Sequence, residues 1–149
     1  GDAPVLVFPD ADLDAVVADI VGLKFAHAGQ ICVSPNCVFV HASVYEAFLG
    51  KAKEIAVKYV FGSGSDHGDK GEVLQPVASE ETLSRLLGMV QDAKAKGARN
   101  IPGYFMQPTI LADVNNDMAC QQTEIFGPIM PVRVFSDDDE VFALANESE

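Results

Sequence analysis

The sequence predicts an α/β domain built on a parallel sheet. Short apolar runs alternate with longer amphipathic ones in the order strand, helix, strand, helix, the pattern of a parallel sheet with helical crossovers. The chain has 149 residues, one domain by length and enough to bury a core. At 48% hydrophobic and 21% charged, its composition is that of a globular protein.

Each element has its own signal. Pro4-Val5-Leu6-Val7-Phe8 is a continuous apolar run, read as a strand buried on both faces. Asp10 and Asp12 then offer N-caps. Leu13, Val16, Val17, Ile20 and Leu23 recur at helical spacing, so a helix is expected to about Ala28, stopping at Gly29. Ser34-Pro35-Asn36 is loop chemistry, and Cys37-Val38-Phe39-Val40-His41 reads as the second strand. Ser43 followed by Glu46 has the capping-box pattern, opening a helix with Val44, Phe48, Ala52, Ile55, Ala56 and Tyr59 on one face.

Further on, Gly62 to Gly71 reads as an exposed loop without the Lys-Ser/Thr pair of a phosphate cradle, and the chain to Pro76 as irregular. Ser79 caps a third helix with Leu83, Leu86, Leu87, Val90 and Ala93 as its stripe, Lys94 and Lys96 at its end and Gly97 as its stop. Pro108 suggests an edge or a break, with Thr109-Ile110-Leu111 as a strand beyond it. Residues 115–123 are polar and read as irregular or a short helix. Glu124-Ile125-Phe126-Gly127-Pro128 is a turn, and residues 129–135 form a strand interrupted by Pro131. Residues 136–139 cap a last helix to about Ala145.

Charge and cysteine content narrow the function classes. Ten Lys and Arg stand against 22 Asp and Glu, a net charge of −12. Such a chain lacks the cations that neutralise phosphates, which argues against nucleic acid or an anionic membrane as a partner. Three cysteines suggest no disulfide framework, so a reducing, cytoplasmic setting is expected. Cys32 and Cys37 lack the usual zinc spacing, and no metal site is expected. No apolar run reaches the about 18 residues of a membrane span. Gly1 in place of an initiator Met, and an end just past a helix, read as cuts within a longer polypeptide.

The turn Ala28-Gly29-Gln30-Ile31-Cys32 joins a helix to a strand, which places a cysteine at the end of the sheet. Gly29 permits positive φ or a close backbone approach. By itself the turn leaves two readings open: a nucleophilic cysteine, or a small buried apolar residue.

Four stretches in this order resemble the aldehyde dehydrogenase superfamily: Phe8-Pro9-Asp10-Ala11-Asp12-Leu13-Asp14, Gly29-Gln30-Ile31-Cys32, Gly103-Tyr104-Phe105-Met106-Gln107-Pro108-Thr109 and Glu124-Ile125-Phe126-Gly127-Pro128. The resemblance covers essentially the whole chain. It implies a single nucleophile-bearing catalytic domain over residues 1–149, a three-layer α/β unit with a mostly parallel sheet flanked by helices. The Rossmann-like dinucleotide domain, the Glu of a Glu-Leu-Gly-Gly motif that acts as general base, and a C-terminal oligomerisation segment would lie outside it. The isolated chain is accordingly expected to be inactive, and its parent a homo-oligomer.

The resemblance also implies roles. Cys32 matches the nucleophile, whose thiolate attacks an aldehyde carbonyl to give a thiohemiacetal and then a thioester. Its backbone N–H is placed to donate to the oxyanion. Glu124 matches the residue that accepts hydrogen bonds from the nicotinamide ribose, and Phe126 the one packed near the nicotinamide ring of NAD or NADP. Their structural alternatives are a solvated loop charge and a core aromatic. Gly29 and Gln30 shape the loop rather than react, and Ser34 is placed to line a substrate pocket.

Two positions depart from the family pattern. His27 stands where Asn is frequent, either a base beside the thiol or a helix-end residue satisfied by a backbone carbonyl. Cys37 stands where Arg is frequent, which puts the support of the loop in doubt. Cys120 reads as structural. A coenzyme A-acylating semialdehyde dehydrogenase would use the same residues, with a thiol instead of water resolving the thioester. The identity of the aldehyde is not legible.

Overall fold

A computed structural model describes residues 3–62, 73–101 and 106–147. The loop expected from Gly62 to Gly71 falls almost wholly outside these residues, as do Gly103, Tyr104 and Phe105.

In chain order the elements are β1 (Pro4–Val7), α1 (Leu13–Phe25), a 3-10 turn (Ala26–Gly29), β2 (Cys37–His41), a 3-10 turn (Ala42–Val44) and α2 (Tyr45–Ala56). There follow β3 (Val60–Phe61), β4 (Val73–Leu74), α3 (Glu80–Ala95), β5 (Arg99–Ile101), β6 (Thr109–Ala112), α4 (Ala119–Gln122), β7 (Ile129–Phe135) and α5 (Asp138–Ala145). The five-stranded sheet has the order β1-β2-β7-β6-β5, parallel except where β5 runs against β6. β3 and β4 form a separate parallel pair.

Strand alternation sorts the core into two faces. Val38 and Val40 of β2, Ile110 and Ala112 of β6, and Met130 and Val132 of β7 pack with Val17, Ile20, Val21 and Phe25 of α1 and Phe48, Leu49 and Ala52 of α2. Leu111 and Ile129 point to the other face and meet Leu86, Met89 and Ala93 of α3. Phe39 and Phe135 join Val141 of α5 in a third cluster. The result is the three-layer α/β arrangement implied by the sequence. Fully buried side chains such as Phe25 and Phe48 each contribute roughly 2–3 kcal/mol.

Several local expectations are corrected. β1 lies at the sheet edge, with Pro4 exposed and Val5 and Leu6 half-buried, so it is not covered on both faces. α1 is capped by Asp12 as expected but ends at Phe25, because the chain turns left-handed at His27 and Ala28. Leu23 is exposed, and Lys24 takes its place inward. Ser43 does not cap α2. His41 Nδ1 instead accepts from the Ser43 N–H and caps the preceding 3-10 turn.

Val73–Leu74, read as irregular, pairs with Val60–Phe61, two residues being too short to show a period. β6 is interior, since the short segment Arg99–Ile101 takes the edge beyond it. β7 runs unbroken through Pro131, and the ladder absorbs one missing donor. The Ser79 cap of α3, the positive φ of Gly97 behind it and the Asp137 cap of α5 agree with the sequence.

Candidate active site

Cys32 is exposed, on the loop that carries the chain from α1 into the middle of the sheet. The loop begins with three successive left-handed residues: His27 at φ 50°, Ala28 at φ 55° and Gly29 at φ 71°. Each non-glycine residue held there costs roughly 1–2 kcal/mol, so the surroundings must enforce the conformation. The Gln30 side chain contributes. Its Nε2 donates to the His27 and Pro76 carbonyls at 3.2 Å each, and its Oε1 accepts from the Ala78 N–H at 2.8 Å. Gln30 thereby ties the loop to the entry of α3. His27 is exposed, and its residue type is among those enriched at positive φ, as Asn is.

Lys24 supports the loop from below. It is only 1% exposed, and its Nζ donates to the Pro35 carbonyl at 2.8 Å. Its own carbonyl accepts from Ser34 Oγ at 3.4 Å. Desolvation, partly offset by charge interaction with Cys37, pulls the ammonium down to about 8. Ser34 is therefore turned inward, toward the Lys24 backbone. Cys37 is buried in β2, and burial pushes its thiol up to about 12. Cys120 is likewise buried and raised to about 11, chiefly by desolvation.

The turn holding Glu124 and Phe126 lies against this loop. A β-carbon on Gly29 would collide with the Gly127 carbonyl, so the two turns touch through bare backbone. Asn36 Oδ1 accepts from the Ile125 N–H at 3.2 Å, a second link between them. Arg85 of α3 donates from Nη1 to the Glu124 carbonyl at 3.3 Å and from Nη2 to the Ile125 carbonyl at 2.7 Å. Ile125 is fully buried, while Glu124 and Phe126 face outward. Phe126 sits at φ 46° with its ring 42% exposed, so it is not a core aromatic.

Thus Cys32, Glu124 and Phe126 are carried on two turns that share a backbone contact. Sequence reasoning missed Lys24, Asn36 and Arg85. Lys24 was detectable, because it continues the Val17, Ile20 and Val21 stripe at helical spacing. Asn36 and Arg85 act across the fold and left no local signal. Among the described residues, no three His, Cys, Asp or Glu side chains gather as a metal site, and no helix is long and apolar enough to cross a membrane.

Comparison with known proteins agrees with this architecture. The model of the aldehyde dehydrogenase family matches residues 1–149, and the chain belongs to that family. It is 35% identical to "Succinate-semialdehyde dehydrogenase [NADP(+)] 2" of Schizosaccharomyces pombe, covering 100% of this chain and 31% of that protein. It is also 35% identical to "Betaine aldehyde dehydrogenase" of Brucella anthropi, covering 100% of this chain and 32% of that protein. Among solved structures, succinate-semialdehyde dehydrogenase from Burkholderia pseudomallei superposes with a TM-score of 0.93 at 37% identity, over 100% of this chain and 32% of that one. The chain therefore spans about a third of the length of the relatives it matches.

Proposed function

We propose that this chain is the nucleophile-bearing domain of a longer NAD(P)-dependent aldehyde dehydrogenase, oxidising an aldehyde to a carboxylic acid through Cys32. The observation that carries this reading is the contact between the two turns. It brings the exposed Cys32 loop and the outward-facing Glu124 and Phe126 onto neighbouring segments.

Cys32 attacks the aldehyde carbon as a thiolate, forming a C–S bond and a tetrahedral thiohemiacetal. The Cys32 N–H would donate to the oxyanion as it develops. A bound nicotinamide supplies the acceptor for the hydride that leaves the thiohemiacetal carbon. Water then attacks the thioester on Cys32, releasing the acid and restoring the thiol.

Glu124 and Phe126 suit one edge of a nicotinamide nucleoside. A carboxylate accepts from vicinal ribose hydroxyls, and a half-exposed aromatic ring offers a face or edge to the nicotinamide. The name of the S. pombe relative specifies NADP(+), which supports a nicotinamide cofactor here. The relatives' names lend support to an aldehyde substrate of the semialdehyde or betaine aldehyde type. The rest of the cofactor site and the general base would come from sequence outside this chain. The chain by itself is accordingly inactive, and its parent works in a cytoplasmic homo-oligomer.

The test is Cys32→Ser in the polypeptide that carries this chain. Dehydrogenase turnover is expected to fall by at least about 10³-fold, since a serine hydroxyl is far weaker as a nucleophile at neutral pH. Retained turnover would refute the role of Cys32.

A further inference from the structure

The segment that carries Glu124 and Phe126 has no regular structure to hold it. α4 ends at Gln122, β7 begins at Ile129, and the chain between them is irregular. Its backbone groups must therefore be satisfied from elsewhere in the fold. Arg85 and Asn36 do this at one peptide unit after another. Asn36 accepts from the Ile125 N–H, while Arg85 reaches the carbonyls of both Glu124 and Ile125 through two different guanidinium nitrogens. Two residues beyond Ile125, Gly127 lies under the Leu86 side chain, beside Arg85 on α3.

The choice of partner is informative. In a chain with 22 carboxylates, the hydrogen bonds of this guanidinium among the described residues go to two neutral carbonyls and, from Nη1, to the Met89 sulfur at 3.7 Å. A planar fork of donors can span successive carbonyls, which the single point charge of lysine cannot do. The contact thus specifies backbone geometry on both sides of Ile125, between Glu124 and a Phe126 held at φ 46°.

We propose that Arg85 is a positioning residue for the nicotinamide cofactor. It holds the Glu124 and Ile125 carbonyls so that Glu124 and Phe126 present their side chains in one direction. Arg85 touches neither cofactor nor aldehyde; it acts through the turn. The proposal rests on the reading of Glu124 as a cofactor contact.

The experiment compares Arg85→Met, Arg85→Lys, Glu124→Gln and the double variant Arg85→Met/Glu124→Gln in the polypeptide that carries this chain. It reads KM for NAD(P), KM for aldehyde, kcat, and the rate of Cys32 alkylation by iodoacetamide. Arg85→Met is expected to raise the cofactor KM about tenfold, the scale of losing charge-assisted hydrogen bonds. Aldehyde KM and Cys32 alkylation are expected to stay within about twofold, as for a site not coupled to the change. Arg85→Lys falls between wild type and Arg85→Met, and it carries the test alone if Arg85→Met does not fold. The double variant is no worse than Glu124→Gln, as expected for residues acting in series.

Parallel losses in cofactor KM, aldehyde KM and alkylation would overturn the proposal, since they mark general loosening. An unchanged cofactor KM in the Arg85 variants, with Glu124→Gln impaired, would overturn the proposal alone. An unchanged cofactor KM in Glu124→Gln would overturn the cofactor reading itself, and with it a role exerted through Glu124.

Discussion

Gly29 and Gly127 meet backbone to backbone: a β-carbon on Gly29 would lie 2.6 Å from the Gly127 carbonyl carbon and 3.1 Å from the Lys24 carbonyl oxygen. These two glycines belong to the two turns that carry Cys32 on one side and Glu124 and Phe126 on the other. The spacing between the turns is therefore set by main chain, which cannot move aside as a side chain can. Glycine is needed at 29 twice over, for the space and for a φ of 71°.

Gly29→Ala is expected to destabilise the fold by about 3 kcal/mol or more, because it combines a backbone collision with a left-handed φ. Gly127→Ala is expected to cost less, about 1–3 kcal/mol. Its new methyl group would meet the Leu86 side chain, at 2.6 Å from Cδ2, where a rotamer can yield. Urea denaturation of both variants checks the ranking. A Gly127→Ala cost equal to or above that of Gly29→Ala would contradict the account of a backbone-defined contact.

The three thiols should differ sharply in reactivity. Cys32 is exposed, whereas Cys37 and Cys120 are buried with their thiols raised to about 12 and about 11. Only a thiolate alkylates, so burial and raised affinity for the proton both protect the second pair. Iodoacetamide at pH 8 is expected to modify Cys32 alone in the native protein and all three cysteines in denaturant. Peptide mass spectrometry reads the sites. Native labelling of Cys37 at the rate of Cys32 would show that the loop opens to the sheet.

Lys24 predicts a dependence of stability on pH. Its affinity for the proton falls from an ordinary 10.5 in the unfolded chain to about 8 in the folded one. Between these values the unfolded state binds more protons, so stability rises with pH across this window. The penalty of burying the ammonium is complete below about pH 8 and on the order of 3 kcal/mol. Cys37 acts in the opposite sense, because its raised thiol keeps a proton that the unfolded chain loses. The comparison is therefore wild type against Lys24→Met. The variant leaves the Pro35 carbonyl without its donor, a cost of about 1–3 kcal/mol. Wild type is expected to gain on the variant as pH rises from 7 to about 10. A stability gap constant over that range would contradict a buried, titrating Lys24.

The helices and central strands were legible because each repeats a signal over several residues. The capping aspartates, the stripe of α1 and the apolar run of β2 are local, and local chemistry is readable in order. β3, β4 and β5 were missed because two or three residues carry no period, and β1 was misread because an apolar run does not say whether a neighbouring strand exists. The early end of α1 also escaped detection. The chain turns left-handed at His27 and Ala28, just before Gly29 meets Gly127 and the Gln30 side chain ties the His27 carbonyl to Pro76 and Ala78, partners far off in sequence.

For the candidate site, the sequence by itself determined the chemistry on offer: a cysteine on a glycine turn, and a Glu and a Phe on a second turn ending in Gly-Pro. Residue identity sets nucleophilicity and hydrogen-bonding capacity, whatever the fold. Only the tertiary structure decided that the two turns share a backbone contact, that Lys24 is a buried support, and that Arg85 and Asn36 grip the Ile125 peptide from opposite sides. Those relations join residues far apart in sequence, and they exist only once the sheet and helices have closed around them.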